Sequence, residues 1–162
     1  MAFTLAAPCE YREEIRKSRF IALAAPAFAA DDPYSITIKQ NSSLLSMEAQ
    51  VYSAYKVFDV TYSGEAPNVA YAYTAATGFK TFTYTPEGST ISYDFSKADE
   101  VQLLITYLRD SATGQAALDH FATKVKEFIE EQSPTMEADN SETGIAGDTS
   151  VTIGLPEAGY YI

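Results

Sequence analysis

Tryptophan is absent from this chain, cysteine and histidine occur once each, and bases are half as frequent as acids. The lone Cys9 excludes an internal disulfide and leaves the compartment open. The lone His120 falls within a helical pattern and has no metal-ligand partner at suitable spacing, so it is read as neither a ligand nor a general base. There is no glycine-rich phosphate loop and no Ser-His-Asp set in a nucleophile context. No catalytic residue, cofactor or metal is therefore expected. With 11 Lys+Arg against 22 Asp+Glu the formal net charge is −11, which a phosphate backbone would repel, so nucleic acid is not an expected partner. Long apolar runs are missing too. The run starting at Phe20 is about nine residues and contains Pro26, and nothing later is long and apolar enough to span a membrane.

What is present describes a globular β-rich protein. The chain of 162 residues is long enough for one domain with a real core and too short for two comfortable ones. Hydrophobic residues make up 46% and charged residues 20%, a globular rather than a disordered balance. Twelve tyrosines and nine phenylalanines favour a sheet over a helical bundle. Acid is concentrated at 127–148, where Glu127, Glu130, Glu131, Glu137, Asp139, Glu142 and Asp148 face no base, as in a solvated face or loop.

The stretch AQVYSAYKVFDV, residues 49–60, has the composition and length of one strand. At period two, Val51, Ser53, Tyr55 and Val57 share one face, and Tyr52, Ala54, Lys56 and Phe58 the other. Lys56 thus accompanies two aromatics. Either its stem lies on apolar surface with the amine in water, or the amine is buried and neutral. Further strands are expected at 34–39, 69–74, 80–85, 90–95 and 149–155, with loops at 40–43, at SGEAPN (63–68) and at the turn Pro86-Glu87-Gly88, forming an antiparallel meander. A helix is expected after Ser96, capped by Ser96 with Asp99, with Val101, Leu104 and Leu108 at helical spacing. A second carries Leu118, Phe121, Val125, Phe128 and Ile129 on one face, with Lys124, Lys126, Glu127, Glu130 and Glu131 opposite, and stops at Pro134. Residues 132–148 read as a polar loop, and Tyr160-Tyr161-Ile162 as the start of a last strand.

The first thirty residues differ from the rest. EYREEIRKSR, residues 10–19, is dense in mixed charge and runs into FIALAAPAFAADD, whose Ala-Phe-Ala at 27–29 has the ending of a secretory signal peptide. PCEYREEIRKSRFIALAAP resembles the opening of the YigZ/IMPACT family, whereas ALAAPAFAADDPYSITI resembles the signal-peptide end and mature start of a Gram-positive surface pilin. The chain therefore reads as a chimera joined near 23–27, with an N-terminal segment 1–30 and a body 31–162. The body is similar to the N-terminal domain of sortase-assembled pilin backbone subunits. The residues carrying that likeness are YSITI, VYSAYKVFDVTYSG, ADEVQLLITYLRD, the helix ending in KEFIEE, and VTIGLPEAGYYI.

This resemblance implies an Ig-like, CnaB-type antiparallel β-sandwich with two helices inserted before the last strands, truncated at its C-terminus. It also implies a non-enzymatic structural role in a cell-surface pilus supporting adhesion, secreted to the cell wall, with other pilin subunits, a sortase and a host surface ligand as partners. Alternatives are a secreted carbohydrate- or protein-binding adhesin module using exposed tyrosines as a platform, and a YigZ-like intracellular protein. Several CnaB-type domains join a lysine amine to an Asn or Asp carbonyl beside a buried acid. By resemblance Lys56 and Glu157 are the cross-link candidates, with the acceptor expected in or after the final strand. The run LPEAG, residues 155–159, has the outline of a sortase sorting signal with alanine in place of threonine, and reads as a turn feeding the last strand.

Overall fold

The computed structural model describes residues 23–24, 34–40, 46–63, 70–109, 114–132 and 134–162. The charged run 10–19, the signal-like ending 27–29, Cys9, the break at 41–43 and the loop 64–68 lie outside the described residues. Within them the order is β1 (Leu23–Ala24), β2 (Ser35–Lys39), β3 (Val51–Ala54), β4 (Lys56–Ser63), β5 (Ala70–Ala75), β6 (Thr83–Tyr84), β7 (Tyr93–Asp94), α1 (Ala98–Leu108), α2 (Gly114–Glu131), β8 (Asn140–Thr143), β9 (Ser150–Gly154) and β10 (Gly159–Tyr161). The protein is mainly β, with antiparallel strand pairs and two helices preceding the last three strands. The body does not form a single contact unit. One compact unit takes the described residues up to Lys56 together with Glu137–Ile162, and a second takes Val57–Met136.

In the first unit the alternation of YSITI and VTIGL becomes a two-stranded ladder. Ile36 and Ile38 of β2 face Ile153 and Val151 of β9, and all four are buried. Met47, Ala54 and Tyr161 complete this core, with Tyr52 and Leu155 packed at its margin. The alternate residues point outward, where the Thr37 and Thr152 hydroxyls hydrogen-bond at 2.9 Å. Each fully buried aliphatic side chain contributes roughly 1.5–3 kcal/mol, so these four residues anchor the ladder.

The stretch 49–60 is two strands rather than one. β3 pairs with β8, but at Tyr55 the backbone turns to Ile162, donating to its carbonyl at 2.8 Å and accepting from its N–H at 3.0 Å. Asp139 holds the change on the other side: its N–H reaches the Ala54 carbonyl at 2.9 Å, and its carboxylate accepts the Lys56 N–H at 2.6 Å. The two-face reading consequently fails past Tyr55, and Val57 and Phe58 are both fully buried. β8 itself corrects the expectation of a loop throughout 132–148. All four of its side chains are exposed, so no apolar period marks it, and backbone pairing to β3 makes the strand. β10 pairs with β1, whose two residues fall within the N-terminal segment set apart by composition.

The second unit holds the aromatic core. β4 and β5 form one antiparallel pair and β6 and β7 another, the latter closed by a turn in which the Ser89 N–H reaches the Pro86 carbonyl at 3.1 Å. β6 and β7 are shorter than the runs expected at 80–85 and 90–95, and a turn of 3₁₀ helix at Thr77–Phe79, which buries Phe79, precedes them. Phe58, Phe82, Phe95 and Phe121 meet with ring centroids between 4.9 and 6.5 Å apart. Phe79 and Phe128 extend the cluster at 5.7 Å from one another. On α2, Phe121, Val125 and Ile129 are buried, while Glu127, Glu130 and Glu131 face solvent, as the helical period predicts. Lys124 pairs with Glu127 and Lys126 with Glu130 along that outer side.

The start of α1 differs from the expected Ser96–Asp99 box. Lys97 occupies the N-cap position without a side-chain cap bond. Asp94 instead accepts from both the N–H and the hydroxyl of Ser96, and Glu100 reaches back to the Asp94 N–H at 2.7 Å. These bonds hold the turn before α1 without forming a capping box, whose two side chains would each reach the other residue's N–H. Hydrogen bonds from Ser96 hold the Asp94 carboxyl below the usual range, and the Lys97 hydrogen bond does the same for Glu100.

Candidate functional site

Lys56 and Glu157 are 101 positions apart in sequence, and the first unit brings them into an ion pair, Nζ donating to Oε1. Each is placed by a neighbouring backbone feature. Lys56 is fixed where the chain leaves β3, its N–H held by Asp139. Glu157 lies in the turn between β9 and β10, whose carbonyl at the same residue accepts the Tyr161 hydroxyl at 3.0 Å. Leu155 ties the start of that turn to β2, its N–H reaching the Tyr34 carbonyl at 2.7 Å. LPEAG is thus a turn feeding β10, as its composition predicts. Gly159 closes it because of space. A Cβ there would stand 2.7 Å from Cδ and 2.9 Å from Cγ of Lys56. The lysine stem lies across the glycine and its side chain is only 11% exposed.

The Lys56 stem is covered by protein, and the amine finds a carboxylate rather than an apolar pocket. Self-cross-linking chemistry requires a neutral amine and an acid kept protonated by burial. Glu157 is 64% exposed and the Lys56 side chain 11%. At the end of β9, Asn140 donates its amide to the Gly154 carbonyl at 2.7 Å and accepts the Ser141 N–H at 2.8 Å. The ion pair is a clasp between the entry to β4 and the β9–β10 turn. A half-exposed pair of this kind is worth at most about 1 kcal/mol. Asp139 is the member that sequence reasoning missed, since it abuts a strand with no apolar signature.

Tyr161 lies behind the clasp, fully buried. Burial pushes its hydroxyl up to about 12; Lys56 opposes that rise, while Asp139 and Glu157 add to it. The native state therefore holds this proton more tightly than the unfolded chain. The stabilisation is complete below the ordinary tyrosine value of 10.0 and is lost as pH rises to about 12. Burial raises the Tyr84 and Tyr160 hydroxyls in the same direction. The thermal midpoint should accordingly fall steeply above pH 10, and Tyr161→Phe should flatten that fall. A midpoint unchanged between pH 9.5 and pH 11.5 would contradict the assignment.

His120 belongs to the aromatic core of the second unit. Its Nδ1 lies 3.0 Å from the Tyr84 hydroxyl, which also approaches the Ala117 carbonyl at 3.4 Å. Among the described residues no group of His, Cys, Asp and Glu is arranged to hold a metal ion. No helix among them is long and apolar enough to cross a membrane. Comparison with protein-family models, curated proteins and solved structures finds no match to this chain.

Proposed function

We propose that the chain is a non-enzymatic structural domain, part of a subunit of a cell-surface pilus that supports adhesion. In this reading the antiparallel strands belong to an Ig-like, CnaB-type sandwich with the two helices inserted ahead of the last strands. Other pilin subunits and a sortase are its assembly partners, a host surface ligand is the object of adhesion, and the cell wall is its location. The observation that supports it best is the pairing of Lys56 with Glu157, the two residues that the pilin resemblance singles out.

Two measurements test this reading. Antibody to the domain should label a high-molecular-weight ladder in the wall fraction of the source cells, and loss of the sortase should collapse it. Recovery of the protein solely as a cytosolic monomer would overturn the proposal. The clasp itself is tested by intact mass. A free Lys56 amine leaves the mass equal to that of the sequence, whereas an internal amide would remove about 17 Da with an asparagine acceptor or about 18 Da with an aspartate, by the stoichiometry of nucleophilic condensation. The full sequence mass is expected.

A further inference from the structure

Tyrosine is abundant in this chain, and one group of tyrosines runs out of the core toward solvent. The antiparallel register of β4 and β5 sets Phe58 opposite Ala75, Val60 opposite Tyr73 and Tyr62 opposite Tyr71, all on one face. At Phe58 and Ala75 that face is buried beneath the helices. Two pairs further along it opens: Tyr71 and Tyr73 are half-buried, and Tyr62 is 55% exposed. The hairpin thus ends in a row of three phenol rings that the core does not consume.

A cation stands beside this row. Gln102 of α1 donates Nε2 to the Tyr73 carbonyl at 2.9 Å, which fixes the helix against β5. Arg109 follows seven residues later, about two turns along the same side of the helix. Burial raises the Tyr73 hydroxyl pKa, and the charge of Arg109 opposes the rise. Arg109 is exposed and forms no ion pair among the described residues, whereas Lys97, Lys124 and Lys126 all have carboxylate partners. The acids of α1, Asp99 and Glu100, lie in its first turn at the opposite end. A guanidinium with no carboxylate partner among the described residues, in a chain of net charge −11, offers a contact to an anion from outside.

We infer that Tyr62, Tyr71, Tyr73 and Arg109 form a binding surface for an acidic saccharide. The tyrosine faces accept the apolar C–H face of a pyranose ring and their hydroxyls hydrogen-bond its edge. The guanidinium takes the sugar carboxylate in a two-pronged hydrogen bond, a geometry that an ammonium does not offer. Repulsion from distant carboxylates is screened within about 8–10 Å at physiological salt, so contact at Arg109 decides the sign of the interaction. This surface is independent of the fibre reading and would serve a secreted binding module equally well.

The test is a titration of the full chain, isotope-labelled at its tyrosines, with sialyllactose and with lactose, the disaccharide left when the acidic sugar is removed from it. Sialyllactose should shift the Tyr62, Tyr71 and Tyr73 ring signals at millimolar concentration, and lactose should bind about tenfold more weakly, the size of one exposed charge-assisted contact. Arg109→Gln should reduce sialyllactose to the lactose level, and Tyr62→Ala should weaken both sugars. Tyr62 is exposed, so that variant should retain the wild-type circular dichroism spectrum, and a lost fold would remove its premise. Absence of ring shifts with sialyllactose, equal binding of the two sugars, or indifference to Arg109→Gln would each overturn the inference.

Discussion

Phe121→Ala should lower the unfolding free energy by about 3–5 kcal/mol, whereas Lys126→Ala on the solvent side of the same helix should change it by less than about 0.5 kcal/mol. Phe121 has no exposed surface. Its ring stacks on Phe58 at 6.0 Å and on Phe95 at 6.3 Å, and meets Tyr84 edge-on at 5.1 Å. Phe82 closes the remaining side at 6.5 Å. Removing the ring takes away one partner from each of four aromatic pairs and leaves a void bounded by rigid rings. Rigid walls collapse poorly into a cavity, which favours the upper part of the range. Chemical denaturation followed by tyrosine fluorescence would measure it. A shift no larger than that of Lys126→Ala would mean that α2 does not cover this core.

How much of this was legible depended on whether burial drove the structure. α2 could be read in sequence because one face is apolar at helical spacing and the other is charged, and the same holds for β2 and β9, whose isoleucines and valine alternate with hydroxyl residues. β8 could not be read, since Asn140, Ser141, Glu142 and Thr143 are all exposed and their strand exists through backbone pairing with β3. The split at Tyr55 was hidden for a related reason. It depends on Ile162 and on Asp139, which lie about a hundred positions away and leave no local mark.

The candidate site shows the same division. Lys56 and Glu157 were singled out by resemblance, and the two do meet, but the environment of their ion pair is tertiary. It comprises the exposure of Glu157, the Asp139 carboxylate on the Lys56 N–H and the lysine stem resting over Gly159. The role of Gly159 is likewise invisible in a five-residue run that composition can identify only as a turn.

Gly144→Ala should be among the most damaging small substitutions in the first unit, costing about 3 kcal/mol or more, above the usual range for one added methyl group. A Cβ at this position would lie 2.2 Å from the Met47 carbonyl oxygen and 2.9 Å from its carbon. Both obstacles are backbone, so no side chain can rotate away. The surrounding segment is tied on every side. The Gly144 N–H donates to the Gln50 carbonyl at 3.0 Å, its carbonyl accepts the Ala49 N–H at 2.9 Å, and the Gln50 N–H closes back on Met47 at 3.1 Å. Ala49 already adopts a left-handed conformation at φ 57, so this turn has little freedom to yield. Relief of the clash must break one or more of these hydrogen bonds, each worth about 1 kcal/mol net, and must disturb the β3–β8 ladder that begins beside them. Gly147→Ala is the matched control. That glycine has φ +88 with no atom within 4 Å of an added Cβ, so its cost is backbone strain alone, about 1–2 kcal/mol. Denaturation midpoints of the two variants, with amide exchange at Ser53 and Thr143, distinguish the cases. Gly144→Ala should lower the midpoint more than Gly147→Ala and speed exchange across β3 and β8, and equal costs without faster exchange would refute the close approach of Gly144 to Met47.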